Sequence, residues 1–378
     1  MSCGTIAVSD AWKILLVMTF ARMTMGFQFQ AVAALASDLT GPGGISFTAL
    51  GVLAGVYLLP GAAVALIGGW LAQRVGAARV AFVGLGLMTI GGGAGWLSNE
   101  YQFALIWRAV AGIGAVALNV MGTKMVADWF EGRVDLPTAM GVFVSSWPAG
   151  IAIATLTLPV FSRAFGLDAA LLLPAVLCVA GWLLLWMIWR EPPRTTGPAL
   201  QVKARFYSQE WARVILAGLI WAIYNVALIG AIAWTPGLLE NNGFSTVTAA
   251  AATSVIGWTA IFSVAAGGWL AARSPHRDIP ALICFLASAV FIGVLPFVGM
   301  TAGSIWTMAA VGLAIGPAAA TIMVMPVEAA RPELRSLSMG IYFAIYYAVM
   351  GVGPAIYGVV RDASGWAGAP LVLAAGLL

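Results

Sequence analysis

The chain has 378 residues, 62% hydrophobic and only 8% charged, with a mean hydropathy of +0.98 and a net charge of +4. Soluble domains carry roughly 25% charged residues. A soluble fold of this composition would leave a largely apolar exterior in water, which excludes soluble enzymes, disordered tails and nucleic-acid binders. Three cysteines (Cys3, Cys178, Cys284) and one histidine (His276) provide neither a disulfide framework nor a multi-histidine metal site.

A membrane helix needs about 20 mostly apolar residues. Apolar stretches bounded by charges predict such helices at roughly 12–35, 47–71, 79–98, 102–127, 137–160, 169–189, 211–239, 247–271, 280–300, 304–326 and 337–360. A twelfth opens at about 367 with only about a dozen residues, so it is expected as an incomplete span. A β-barrel is not expected, because its strands read as short alternating segments rather than long solid apolar runs. Residues 1–10 contain no basic residue and the first apolar run is long, so no cleaved signal is expected.

Basic residues sort by side. Thirteen of them, Lys13, Arg74, Arg79, Arg133, Arg190, Arg194, Lys203, Arg205, Arg213, Arg273, Arg277, Arg331 and Arg335, fall on the side of the N-terminus. The opposite side holds only Arg163 and Arg361. The N-terminus is therefore expected in the cytoplasm. This asymmetry accounts for the basic balance, with no nucleic-acid partner required.

The chain repeats itself. Gly68-Gly69-Trp70-Leu71-Ala72-Gln73-Arg74 recurs as Gly267-Gly268-Trp269-Leu270-Ala271-Ala272-Arg273, 199 residues later. At the same offset Met140-Gly141 matches Met339-Gly340. The reading is an all-α membrane protein of twelve helices in two parallel six-helix halves, a recurring transporter design. The halves are expected at 1–189 and 211–378, joined by a cytoplasmic linker at 190–210 that contains Glu191-Pro192-Pro193-Arg194.

This architecture resembles the major facilitator superfamily. The signature of its loop between helices 2 and 3 is matched by Gly69 to Gly76, with Arg74 in register and Arg79 as the trailing base. Gln73 stands where the family usually has Asp. The resemblance implies a cytoplasmic gate built from Gly69, Gln73, Arg74 and Gly76, with Arg273 in the second half, and Gln73 implies a weaker latch. Arg108 followed by Gly112 and Gly114 resembles the family's helix-4 motif. The Gly-Pro repeat of drug antiporters is not matched by Ser145-Ser146-Trp147-Pro148-Ala149-Gly150. Phe20-Ala21-Arg22, Ala127-Asp128-Trp129-Phe130 and Ala139-Met140-Gly141 resemble the cyanate-permease-like branch.

Charges inside spans cost roughly 2.5–3.5 kcal/mol each and mark sites by default. Every carboxylate falls in a loop or at a span end, whereas Arg22 sits near the middle of the first helix and Arg108 about two turns into the fourth. Lys124 is near enough to the end of its span to reach the interface. A guanidinium fork suits a carboxylate or similar anion. Arg22 is thus read either as an anion contact or as a helix-binding donor to backbone carbonyls and amides such as Gln28 or Gln30. Arg108, nearer the outer interface, reads more readily as packing. Helical spacing puts Arg22, Gly26 and Phe29 on one face, and Arg108, Gly112, Ala115 and Asn119 on another. The 199-residue offset sets Trp221, Tyr224, Asn225 and Leu228 opposite Arg22, Met25, Gly26 and Phe29. The resemblance implies that helices 1, 4, 7 and 10 line a cavity. Candidate substrate contacts are therefore Arg22, Gln30, Arg108, Asn119, Trp221, Tyr224 and Asn225; Tyr342 and Tyr346 read as packing.

The function expected is a secondary transporter of a small anionic solute, working by alternating access as a monomer in the inner membrane of a bacterium. A coupling proton or an exchanged anion is the expected second partner, with no cofactor, no metal and no catalytic group. The alternatives are a sensor or assembly factor that keeps the fold, a drug transporter, or a copper transporter using methionines such as Met23, Met25, Met121 and Met125. Against copper, helices 7 and 8 contain neither Met nor His.

Overall fold

The computed structural model describes residues 3–95, 97, 100–131, 133–191, 206–273, 278–298, 302–331 and 334–378. Among these there is no strand; the chain forms α1 (Cys3–Ala34), α2 (Ala36–Leu39), α3 (Phe47–Gly55), α4 (Gly61–Val75), α5 (Ala77–Ala94), α6 (Tyr101–Trp129), α7 (Leu136–Phe165), α8 (Leu167–Ile188), α9 (Ser208–Asn241), α10 (Thr246–Arg273), α11 (Asp278–Val294), α12 (Ala302–Glu328), α13 (Arg335–Ser364) and α14 (Ala369–Leu377). Nine helices among the described residues are long and apolar enough to cross a membrane. They form because a helix satisfies the backbone groups of a long apolar run within the run itself, as lipid requires.

Two expected elements differ. The stretch 47–71 is not one helix: α3 ends at Gly55, residues 56–60 turn, and α4 resumes at Gly61. Pro60 has no N–H to offer the Val56 carbonyl and disfavours helical geometry at Leu59, and here the ladder gives way to tight turns, with Leu58 N donating to the Gly55 carbonyl and Gly61 N to that of Leu58. The stretch 280–300 stops at Val294 and tightens into a 3-10 turn, Leu295–Phe297, around Pro296. The first helix also starts earlier than its apolar run, at Cys3. The last, α14, is nine residues long. The linker region 192–205 lies outside the described residues.

Packing follows the 199-residue repeat. α1 lies on α7 as α9 lies on α13, and α5 lies on α6 as α11 lies on α12. Likewise α8 packs on α5 and α1, and α14 on α11 and α9. Between the two sets, α13 packs on α3 and α4, and α7 on α10. Small residues allow the close approach at α3 and α13. A Cβ on Gly51 would meet the Pro354 carbonyl, and one on Gly55 the Gly351 carbonyl, the small-residue contact typical of membrane helix pairs. Between α4 and α5, Gly76 turns the chain at φ 95°, a left-handed conformation that favours glycine.

Candidate functional site

Arg22 projects from the middle of α1 and is half-buried. Its Nε donates to Asn119 Oδ1 of α6 at 2.7 Å. Its Nη1 donates to the Phe143 carbonyl at 3.0 Å, the Val144 carbonyl at 2.7 Å and Ser146 Oγ at 3.2 Å, all on α7. The guanidinium also lies 5.0 Å from the Phe143 ring centroid. Local sequence explains one of these acceptors. Pro148 sits inside α7, so the carbonyl four residues earlier, Val144, has no helical N–H to accept, and Arg22 takes it. Every one of these partners is uncharged, and Nη2 has no acceptor among the described residues.

The two glutamines considered as partners for Arg22 are elsewhere. Gln28 Nε2 donates to the Met88 carbonyl of α5 at 2.9 Å, and its Oε1 accepts from Tyr57 OH at 3.1 Å. Gln30 is 1% exposed, and neither amide atom has a partner among the described residues. A buried amide without partners is uncommon and calls for a ligand, a water or a movement.

Arg108 is buried at 6% exposure and turned into backbone. It donates to the carbonyls of Leu53 at 2.8 Å, Gln28 at 3.1 Å and Phe29 at 2.7 Å, and lies 4.9 Å from the Tyr57 ring centroid. The Leu53 carbonyl belongs to the end of α3, where the helix breaks before Pro60. Arg108 thus fills an acceptor created by the break and ties α6 to α1 and α3. Beside it lies a cavity of about 10 Å³ lined by Gln28, Gly92 and Arg108, among others, the size of a single water.

Asn119 is the junction. Its Nδ2 donates to Tyr347 OH of α13 at 2.7 Å. Since arginine only donates, the amide oxygen must face Arg22 and the nitrogen must face Tyr347. Tyr347 packs edge-on to Tyr346, 4.8 Å between centroids. Tyr346 lies 6.1 Å from Trp221 of α9, and Trp221 stacks on Tyr224 at 5.3 Å. Trp221 Nε1 is buried, with no hydrogen-bond partner among the described residues. Asn225 donates to the Trp221 carbonyl within its own helix at 2.8 Å. An aromatic wall from α9 and α13 therefore connects, through one amide, to the cation on α1.

Arg22, Asn119, Trp221 and Tyr224 thus belong to one connected group, while Arg108 belongs to a separate backbone cluster. Sequence reading missed Phe143, Ser146 and Tyr347, and it read Tyr346 as packing. Pro148 was the available signal for α7, because a proline in an apolar helix always leaves a carbonyl to be placed. Of the gate residues, Arg74 and Gly76 lie exposed at the end of α4 and the turn after it; the surroundings of Gly69, Gln73 and Arg273 lie outside the described residues.

The described residues thus form a helical bundle with nine candidate membrane spans, duplicated packing and a cation inside α1. Residues 7–354 match the Major Facilitator Superfamily model, and the chain belongs to that family. It is 25% identical to the hexuronate transporter of Bacillus subtilis (strain 168) over 364 residues, 90% of this chain and 84% of the relative. It is 23% identical to the cyanate transport protein CynX of Escherichia coli (strain K12), covering 93% of this chain and 91% of the relative. Among solved structures, a bacterial homologue of the human lysosomal transporter Spinster, inward-facing and unoccupied, superposes with a TM-score of 0.71 at 17% identity, over 94% of this chain and 83% of that one. A peptide transporter in complex with sulfate gives 0.75 at 14% identity, over 97% and 92%.

Proposed function

We propose that this chain is a secondary transporter that carries a small organic or inorganic anion across the bacterial inner membrane, with Arg22 as the fixed countercharge. The observation that carries the reading is the environment of Arg22: a cation well inside helix α1, bonded among the described residues only to neutral groups, with one guanidinium nitrogen open. Leaving such a charge without a counterion is costly, and an anion offsets that cost. Two relatives bear the names of anion carriers, for hexuronate and for cyanate, which supports the same class. The two halves, 1–189 and 211–378, rock about this site as a monomer, with the 190–210 linker and the N-terminus in the cytoplasm. With every carboxylate in a loop or near a span end, the coupling rests on the anion's own gradient, on exchange with a second anion, or on a proton that travels with the substrate.

The test is thermal stabilisation of purified protein by glucuronate, cyanate, nicotinate and inorganic anions, followed by uptake into proteoliposomes. Wild type should be stabilised by at least one anion. Arg22→Lys should bind it more weakly, since it keeps the charge and loses the fork. Arg22→Gln should lose the response while remaining folded. Equal stabilisation of wild type and Arg22→Gln would make Arg22 a packing residue only. For orientation, single cysteines at Ala77 and Pro193 should label from the cytoplasmic side and one at Asn242 from the outside; the reverse pattern would overturn the assigned topology.

A further inference from the structure

Arg22 is tied by hydrogen bonds to the second half of the molecule through the side chain of Asn119. Asn119 accepts from Arg22 Nε and donates to Tyr347 OH, both at 2.7 Å. Tyr347 stands on α13, the helix that packs on α3 and α4 across the junction between the two repeats. The guanidinium offers an incoming carboxylate two bidentate edges, Nη1–Nη2 and Nε–Nη2. On the first, Nη1 is already held by the Phe143 and Val144 carbonyls and Ser146 Oγ. On the second, Nη2 has no acceptor among the described residues, and Nε has only Asn119. The Nε–Nη2 edge is therefore opened by displacing one bond, the Nη1 edge by displacing up to three.

We propose that the transported anion engages Arg22 on its Nε–Nη2 edge, displaces Asn119 Oδ1, and by doing so breaks the Asn119–Tyr347 tie between the halves. This rests on the reading of Arg22 as an anion site. The chemistry of the swap is in the amide. Once its oxygen loses Nε, the carboxamide is free to turn, and its nitrogen has a charged acceptor beside it. A charge-assisted hydrogen bond is about twice as strong as a neutral one, so Nδ2 leaves the Tyr347 phenol for the anion. Asn119 thus orients the empty guanidinium, contacts the bound anion through Nδ2 and passes its presence to α13. The amide suits this exchange because it accepts from Arg22 through Oδ1 while donating to Tyr347 through Nδ2.

The experiment uses the full chain in detergent, with fluorophores on cysteines placed at Ala77 and Leu337 to report separation of the halves. Glucuronate, nicotinate and cyanate are the probes. Asn119→Asp places a permanent carboxylate on Nε and should weaken anion binding roughly tenfold or more. Asn119→Ala has neither the Oδ1 bond to displace nor the Nδ2 bond to give, so it should still bind the anion, yet the label separation should no longer respond to it. Tyr347→Phe, which removes one oxygen, should shift the separation toward the wild-type liganded value with no anion added. The inference is overturned if Asn119→Asp binds the anion as tightly as wild type, or if Asn119→Ala and Tyr347→Phe both keep the full anion-driven change. Should Asn119→Ala not fold, Tyr347→Phe decides. If no probe binds, or if Arg22→Gln binds like wild type, the anion site itself is wrong; unchanged separation in unliganded Tyr347→Phe separately refutes the tie.

Discussion

Asp362, at the end of α13, caps the start of α3: its Oδ2 accepts from Thr48 N at 2.7 Å and from Thr48 Oγ1 at 2.6 Å, and its Oδ1 accepts from Phe47 N at 3.2 Å. Ser46 Oγ takes the next free amide, that of Ala49, at 3.1 Å. The first amides of a helix have no partner in their own ladder, so here a side chain from the other repeat completes α3. The Arg361 guanidinium lies 4.7 Å from the Phe47 ring centroid and closes over the same turn. The carboxylate therefore does two things at once: it caps a helix and joins the two repeats.

Removing it should loosen that end alone. We expect Asp362→Ala to cost about 0.5–2 kcal/mol, the usual cost of a lost cap. Hydrogen exchange should quicken in the peptide 47–55 while the peptide around Arg22 stays protected. Unchanged exchange at 47–55 would show that the cap contributes nothing.

The middle of the same junction is sensitive to volume. Gly55→Leu must push α3 away from the Gly351 carbonyl and should lower stability by about 1–3 kcal/mol. Gly86 provides the control, since a Cβ there meets nothing within 4 Å; Gly86→Leu should be close to neutral. Equal melting temperatures for the two variants would refute the close packing of α3 on α13.

Arg108 separates structure from ligand binding. Arg108→Leu strands the Leu53 carbonyl at the break between α3 and α4, an orphan that costs about 1–3 kcal/mol. The variant should melt earlier yet keep the anion response that depends on Arg22. A folded Arg108→Leu with no anion response would place Arg108 in the binding site instead.

How much of this was legible in the chain depends on how local the cause is. The spans, the duplication and the odd status of Arg22 are local properties. Apolar length creates a span, an equal offset reveals a repeat, and a charge in an apolar run announces itself by its cost. The break at 56–60 was also legible, since Pro60 stands in the expected second span, but the apolar run concealed it. The freed Val144 carbonyl was legible in the same way from Pro148.

What only the tertiary structure decided is which groups these local features meet. Arg22 pairs with Asn119, 97 residues away, and Asn119 with Tyr347, 228 residues away. Helical spacing put Asn119 on a stripe with Arg108, yet the two serve different clusters, because α6 faces α1 near Asn119 and reaches both α1 and α3 at Arg108. Gln28 and Gln30 sit within two or three turns of Arg22, and neither reaches it. Periodicity determines the face of its own helix from which a side chain leaves. The partner is determined by how distant helices lie on one another, and that depends on small-residue contacts such as Gly55 on Gly351 and on backbone groups freed by prolines, which have no fixed spacing from the residues they serve.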